Sequence, residues 1–313
     1  MANLAVDFLR IKLKNPLVLA SGVLGTSPAV MERCAREGVG AVTSKSAGTE
    51  ARDGHANPVA LAWQGGVINA IGLTNPGCHA ELPILIETKK RLKPLGVPLF
   101  ASIFAPRLED FGEVARVIAE AEPDLIEVNI SCPNVASDFG TPFSATAKSA
   151  AEVTREIRRA VKIPISVKLA PNVYNLGEIA RAVVAEGADV ITAINTVPGM
   201  LIDAYAARPV LKNTTGGLSG PAIKPVALRA VWEISQVVDV PIIGTGGISS
   251  GIDAAEMIMA GAALVGVGSA LVNGGPAVFG KINTELQEFM RSQGYQDLES
   301  MRGLVHRRAN DTV

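Results

Sequence analysis

The chain has 313 residues, of which 48% are hydrophobic and 19% charged, and its formal net charge is −1. That length suffices for one large core or two medium ones, while 29 basic against 30 acidic side chains with no basic run speak against nucleic acid or an anionic membrane as partner and favour a small-molecule function. Three widely spaced cysteines, Cys34, Cys78 and Cys132, argue against a disulfide framework and against a cysteine-ligated zinc or iron–sulfur site within this chain.

The opening residues Met1 to Asp7 show no basic segment leading into a long apolar core. No later apolar stretch reaches membrane-spanning length uninterrupted, so a soluble, cytoplasmic protein is expected. Short β-branched runs then recur at Leu17 to Ser21, Ala41 to Ser44, Pro98 to Ile103, Leu125 to Ile130, Ile165 to Leu169, Val190 to Ile194, Pro241 to Gly244 and Leu264 to Val267. Each reads as a strand buried on both faces, as parallel sheet covered by helices requires. Amphipathic segments between them predict helices, among them Asp110 to Ala121, Thr146 to Val161, Leu176 to Glu186, Ala222 to Val237 and Asp253 to Ala260, several stopped by glycine or proline. Eight strand–helix units predict a (β/α)8 TIM barrel, an α/β fold. The rival, a doubly wound open sheet, needs a Gly-rich turn after its first strand, and Ser21-Gly22-Val23-Leu24-Gly25 lacks the G-x-G-x-x-G spacing. Two connections are long: Ser46 to about His79, which is expected to hold an extra hairpin, and Val197 to Gly220. Loops of that length in a compact domain are usually functional. No linker or repeat marks a second domain, so residues 1–313 are expected to form one.

In such a barrel the active site lies at the C-terminal ends of the strands. There the sequence places Ser21-Gly22, Lys45-Ser46, Ser102, Asn129 with Cys132, Lys168, Asn195-Thr196, Gly246-Gly247 and Gly268-Ser269. In Glu127-Val128-Asn129-Ile130-Ser131-Cys132-Pro133-Asn134, a thiol and two amides supply a proton acceptor and planar groups able to read a flat, amide-rich ring such as a pyrimidine. A free cysteine is as readily a small buried hydrophobe. His55, His79 and His306 show no paired metal-binding spacing and read as surface or loop residues, which leaves Cys132 as the candidate base.

Gly244-Thr245-Gly246-Gly247-Ile248 and Gly266-Val267-Gly268-Ser269-Ala270 close the last two strands, where backbone N–H groups commonly hold a phosphate. The same glycines could merely form tight turns. Lys168 ends an otherwise apolar strand, and burying an unpaired ammonium is costly, so it is expected to meet a negative charge at the mouth, such as the N1–C2=O edge of a reduced flavin. Lys45 is placed alike on the second strand. A Schiff-base lysine of an aldolase remains open for both.

Taken together, Ala20-Ser21-Gly22, Thr43-Ser44-Lys45-Ser46, Asn69-Ala70-Ile71-Gly72-Leu73 with Asn75-Pro76-Gly77, Asn129 to Asn134, Val167-Lys168-Leu169, Ala193 to Thr196, Gly216 to Ala222, Gly246-Gly247-Ile248 and Val267-Gly268-Ser269 resemble the class 1 dihydroorotate dehydrogenases, and within them the NAD-linked subgroup. The resemblance spans most of the chain. It implies oxidation of dihydroorotate to orotate in pyrimidine biosynthesis. FMN would be held by Ser21, Lys45, Ser46, Asn129, Lys168, Ile194, Gly220, Gly246, Gly247, Gly268 and Ser269, with Ser102 standing where the family usually has an asparagine. The pyrimidine would be held by Lys45, Asn69, Ala70, Ile71, Gly72, Leu73, Asn129, Asn134, Asn195 and Thr196, with Cys132 as base. It further implies a homodimer within a heterotetramer, in which a separate subunit carries FAD and a [2Fe–2S] cluster and reduces NAD. The loop Val135 to Phe143 and the segment Pro198 to Arg208 depart from the family pattern. Other dihydropyrimidine oxidoreductases, a fumarate-linked enzyme and a phosphate-binding lyase or non-catalytic barrel are the alternatives.

Overall fold

Eight short parallel strands close on themselves in the computed structural model, which describes residues 2–131 and 142–310. They are β1 (Leu17–Leu19), β2 (Ala41–Thr43), β3 (Leu99–Ile103), β4 (Leu125–Asn129), β5 (Ile165–Leu169), β6 (Val190–Ala193), β7 (Ile242–Thr245) and β8 (Leu264–Val267). Neighbours in sequence are neighbours in space and β8 pairs with β1. The barrel expected from the sequence is therefore formed, with strand ends within a residue or two of those expected.

Helices follow the strands and cover the outside of the barrel. Their starts are set by local chemistry. Ser27 accepts a hydrogen bond from the Val30 N–H at the head of α1 (Pro28–Arg36), and Thr146, Asn175 and Ser250 do the same for the helices Ala147–Ala160, Leu176–Ala185 and Gly251–Met259. Each satisfies a donor the helix cannot pair internally. The expected helix Ala222 to Val237 begins as a 3-10 turn, Pro221–Ile223, and becomes α-helical only from Lys224 to Ser235. Pro225 stands in the first turn, where its missing N–H removes no bond.

The outward side chains of the strands, such as Ile126, Val128, Ile165 and Val167, are fully buried against these helices in one continuous core. The inner side differs. Ser102, Glu127, Ser166, Lys168 and Thr192 are all buried there, where barrels usually carry branched apolar residues. At the opposite end, an antiparallel pair, Val6–Phe8 with Ile11–Leu13, buries Val6, Phe8 and Leu13, and the Phe8 ring lies 6.1 Å from that of Phe100.

The two long connections do not lie apart. Ala60–Trp63 and Gly66–Asn69 form the hairpin expected in the first, and the second contributes Val197–Gly199 and Gly216–Ser219 to the same four-stranded antiparallel sheet. The sequence showed the second connection only as a long loop. Its pairing, Gly217 opposite Asn69, joins residues too distant in sequence for any local pattern to record. A small core of Ile68, Ala70 and Leu211 packs on the face of this sheet turned away from Val67 and Asn69. Among the described residues, no helix is long and apolar enough to cross a membrane.

Gly217 is where the sheet meets the strand-end residue Thr196, and a methyl group on it would collide with Thr196 Oγ1. Gly217→Ala is expected to leave the barrel intact and loosen the sheet. Hydrogen exchange followed by mass spectrometry should quicken about tenfold in 66–69 and 216–219 and stay unchanged in 242–245 and 264–267, as local opening below the global stability requires.

Candidate functional site

A cavity of about 350 Å³ opens at the C-terminal ends of the strands, beneath the antiparallel sheet. Its size falls within the range of small-molecule sites, about 300–1,000 Å³. Of the residues singled out from sequence, Ser21, Lys45, Ser46, Asn69, Ile71, Gly72, Leu73, Asn129, Lys168, Asn195, Thr196, Gly220, Gly246, Gly247, Gly268 and Ser269 line it. Cys132 and Asn134 lie outside the described residues.

Three of the expected residues do not line the cavity. Ser102 is 1% exposed and sits beneath Ser46, their Oγ atoms 2.8 Å apart, so it supports the wall from behind. Ala70 is fully buried in the small core with Ile68 and Leu211. Ile194 packs into the main core while its N–H donates to Thr245 O at 2.9 Å, tying β6 to β7 at the rim. Conversely, Ala60, Val67, Ser219, Ile223, Thr245, Ile248 and Val272 line the cavity without having been singled out. Ser219, Thr245 and Ile248 lay within quoted glycine motifs, whereas Ala60 and Val67 reach the site only through the hairpin's tertiary position.

Polar side chains on the wall hold one another. Asn195 Nδ2 donates to Ser131 Oγ at 2.9 Å and to Asn129 Oδ1 at 3.4 Å, and Asn195 Oδ1 accepts the Thr196 N–H at 2.8 Å. Asn129 Nδ2 donates to Ser46 Oγ at 3.4 Å. Across the mouth, Asn69 Nδ2 donates to Gly217 O at 3.3 Å. Amides fixed by their neighbours in this way present defined donors and acceptors to a flat polar ring.

At the opposite end of the cavity the two glycine turns meet. Gly246 and Gly247 have φ of +135° and +79°, values that side chains disfavour, and a Cβ on Gly246 would stand 2.7 Å from Ala227 Cβ. Among the described residues, no backbone carbonyl accepts the N–H groups of Gly246, Gly247, Gly268 or Ser269. Four such donors on residues that line one cavity fit a phosphate. Behind this turn, Lys224 Nζ donates to Asp253 Oδ1 at 2.6 Å and lies 2.7 Å from Glu256 Oε2 in an ion pair, and Asp253 Oδ2 accepts the Ser249 N–H at 2.9 Å. Burial works to raise the Asp253 carboxyl, but bonds from Lys224 and Ser249 outweigh it and hold it below its usual range. The same carboxylates hold Lys224 above its usual value, so this loop is braced by an ionised pair.

Lys168 Nζ lies 3.6 Å from Glu127 Oε1, with both side chains buried. The negative charge expected opposite Lys168 is thus supplied, in part, by the protein. Lys45 has another carboxyl in its neighbourhood. Glu81, in the first turn of α2 (Cys78–Leu92), is 2% exposed and its Oε1 has no hydrogen-bond partner. Burial pushes its carboxyl up to about 7, against the opposing pull of the Lys45 charge.

A carboxyl whose folded-state pKa lies above its unfolded value binds more protons when folded. Stability from it is complete below the unfolded pKa and is lost as pH rises through the folded one. Between pH 4.5 and about 7 the wild type should lose about 2–3 kcal/mol on this account. Glu81→Gln, compared with wild type by urea unfolding at pH 5 and pH 8, should be free of that loss. Equal pH slopes for both proteins would contradict it.

A model of the dihydroorotate dehydrogenase family matches residues 3–290 of the chain. The chain is 42% identical over 296 residues to the dihydroorotate dehydrogenase B (NAD(+)) catalytic subunit of Methanocaldococcus jannaschii, covering 95% of this chain and 96% of that protein. It is 43% identical over 297 residues to the protein of the same description from Methanosarcina mazei, covering 95% and 93%. Against that of Pyrococcus abyssi it is 39% identical over 302 residues, covering 96% and 99%.

Proposed function

The chain belongs to the dihydroorotate dehydrogenase family, and on that premise we propose that it oxidises (S)-dihydroorotate to orotate, a step of pyrimidine biosynthesis, as the catalytic subunit of an NAD-linked enzyme. The observation that carries this is the single cavity in which Lys45, Asn69, Asn129, Lys168, Asn195 and both glycine turns meet. Enzymes of the family are flavoproteins. The residues present fit FMN: the unpaired N–H groups of the glycine turns suit its phosphate, and the Lys168 side chain lines the same cavity.

FMN, when bound, supplies the acceptor for the hydride that leaves C6 of dihydroorotate and passes the electrons onward. The chain's own residues do the rest. Asn69, Asn129, Asn134 and Asn195 hold the amide edges of the pyrimidine, and Thr196 and Lys45 complete its contacts. Ile71, Gly72 and Leu73 cover it, with Ala70 anchoring that loop in the small core. Ser21, Ser46, Gly220, Gly246, Gly247, Gly268 and Ser269 surround the cofactor, with Ser102 and Ile194 supporting that wall. Cys132 removes the proton from C5. Wetting of the site is limited by the sheet that roofs it.

The relatives are named as catalytic subunits, which implies a partner subunit. In our proposal that partner carries FAD and a [2Fe–2S] cluster, two copies of each chain assemble as a heterotetramer around a homodimer of this one, and the enzyme works in the cytoplasm. The free thiols of Cys34 and Cys78 suit a reducing compartment.

Purified chain should be yellow, should be bleached by dihydroorotate but not by dihydrouracil, and should pass electrons to dyes while reducing NAD hardly at all without its partner. A colourless protein would remove the proposal. Efficient fumarate reduction would move the chain to another subgroup of the family. Cys132→Ser should keep the flavin and lose turnover at pH 7 by at least about a hundredfold, with partial recovery at high pH, because a serine hydroxyl is scarcely ionised at that pH whereas a thiol of pKa about 8.5 is a few per cent thiolate. Unchanged turnover in stopped-flow flavin reduction would take the base role from Cys132.

A further inference from the structure

Glu127 is a buried carboxylate to which neither the family's substrate nor its cofactor contacts were assigned above. It lies on the inner side of β4, two residues before Asn129, and the register of β4 with β5 sets Asn129 opposite Lys168 and Glu127 opposite Ser166. Glu127 therefore stands one layer beneath the cavity floor that Asn129 and Lys168 form. Its Oε1 is 3.6 Å from Lys168 Nζ, and the two side chains are 5% and 8% exposed.

The same oxygen accepts a hydrogen bond from Ser102 Oγ at 3.4 Å. Since a carboxylate only accepts, the directions of the bonds leading to it are fixed. Ser102 directs its single O–H at Glu127, so Ser46 must be the donor in the 2.8 Å contact between Ser46 and Ser102. Asn129 Nδ2 in turn donates to Ser46. A one-way chain thus runs from Asn129 through Ser46 and Ser102 to Glu127, and the Asn129 carbonyl is left facing Ser131 and Asn195.

We propose that Glu127 is a positioning residue that fixes Lys168 and cancels its charge, so that the Glu127–Lys168 pair, rather than Lys168 alone, sets how strongly the site favours the reduced, anionic flavin. With FMN bound as proposed above, on which this inference rests, an uncompensated lysine would stabilise added electrons strongly in a site of low dielectric. A paired lysine offers a weaker, directional field. An enzyme that must release the electrons it accepts gains from that moderation.

Sulfite tests this without turnover. Its sulfur lone pair forms a bond to flavin N5 and the displaced electron pair settles on the N1–C2=O edge, so adduct affinity measures the positive field there. Glu127→Gln keeps an acceptor for Ser102 and removes only the charge. Its sulfite dissociation constant should fall at least about tenfold, and the two-electron midpoint potential of the bound FMN should rise by about 30 mV for each tenfold. Glu127→Asp, which retains the charge, should stay within about threefold of wild type. Flavin-loaded Glu127→Gln matching wild type in both measurements would overturn the proposal while leaving the flavoenzyme reading intact. A wild type that binds no flavin would overturn both. Should Glu127→Gln fail to fold or hold FMN, Glu127→Gln/Lys168→Met leaves no unpaired charge: sulfite affinity within about threefold of wild type supports the pair, and a loss of about tenfold shows Lys168 acting alone.

Discussion

Eight parallel strands closed into a ring must all deliver their last residues to one rim, and the site depends on that constraint. Ser21, Lys45, Asn129, Lys168, Asn195, Gly246 and Gly268 come from seven different strand ends. The closed ring gathers these residues, far apart in sequence, within one cavity. Parallel ladders pair in a fixed register, so the height of each side chain above the barrel floor is fixed too. Asn129 stands level with Lys168 because Val128 pairs with Val167 one step below.

The barrel interior beneath the site departs from apolar filling. Ser102, Glu127 and Ser166 on one level and Lys168 and Thr192 on the next form a polar interior, knit by contacts such as Ser166 Oγ to Thr192 Oγ1 at 2.8 Å. Polar groups out of water are costly unless paired. Here they are paired with one another, which makes the interior stiff and gives each hydroxyl a defined direction. A buried ion pair adds little net stability, yet loss of one partner costs about 3–5 kcal/mol. The arrangement is therefore better understood through what it holds in place than through what it adds to folding.

Carboxylates accompany lysines around the rim: Glu127 with Lys168, Glu81 near Lys45, and Asp253 with Lys224. The three differ in how far water is excluded and how directly the charges meet. Asp253 is held ionised by short bonds. Glu81, buried with an unpaired oxygen, is shifted toward its neutral form. Local geometry, more than residue type, thus decides the charge each part of the cavity presents.

The eight strands, the barrel and most of the cavity lining were legible in sequence because each is written locally: a strand buried on both faces is an uninterrupted apolar run, and a polar residue at its end is conspicuous against that background. Lys168 and the Gly246-Gly247 turn were visible for that reason. The four-stranded roof was not, since pairing of Gly217 with Asn69 leaves no mark on either segment. Ala60 and Val67 reach the cavity, and Ala70 turns away from it into the small core, through that pairing alone. Glu127 was quoted within a motif but carried no sign of its partner, because the distance from its carboxylate to Lys168 depends on strand register. Sequence determined which residues would stand at the rim and which chemistry they could offer. Tertiary structure decided which charges would face each other, since Coulomb interaction and desolvation follow distances in space and not separation along the chain.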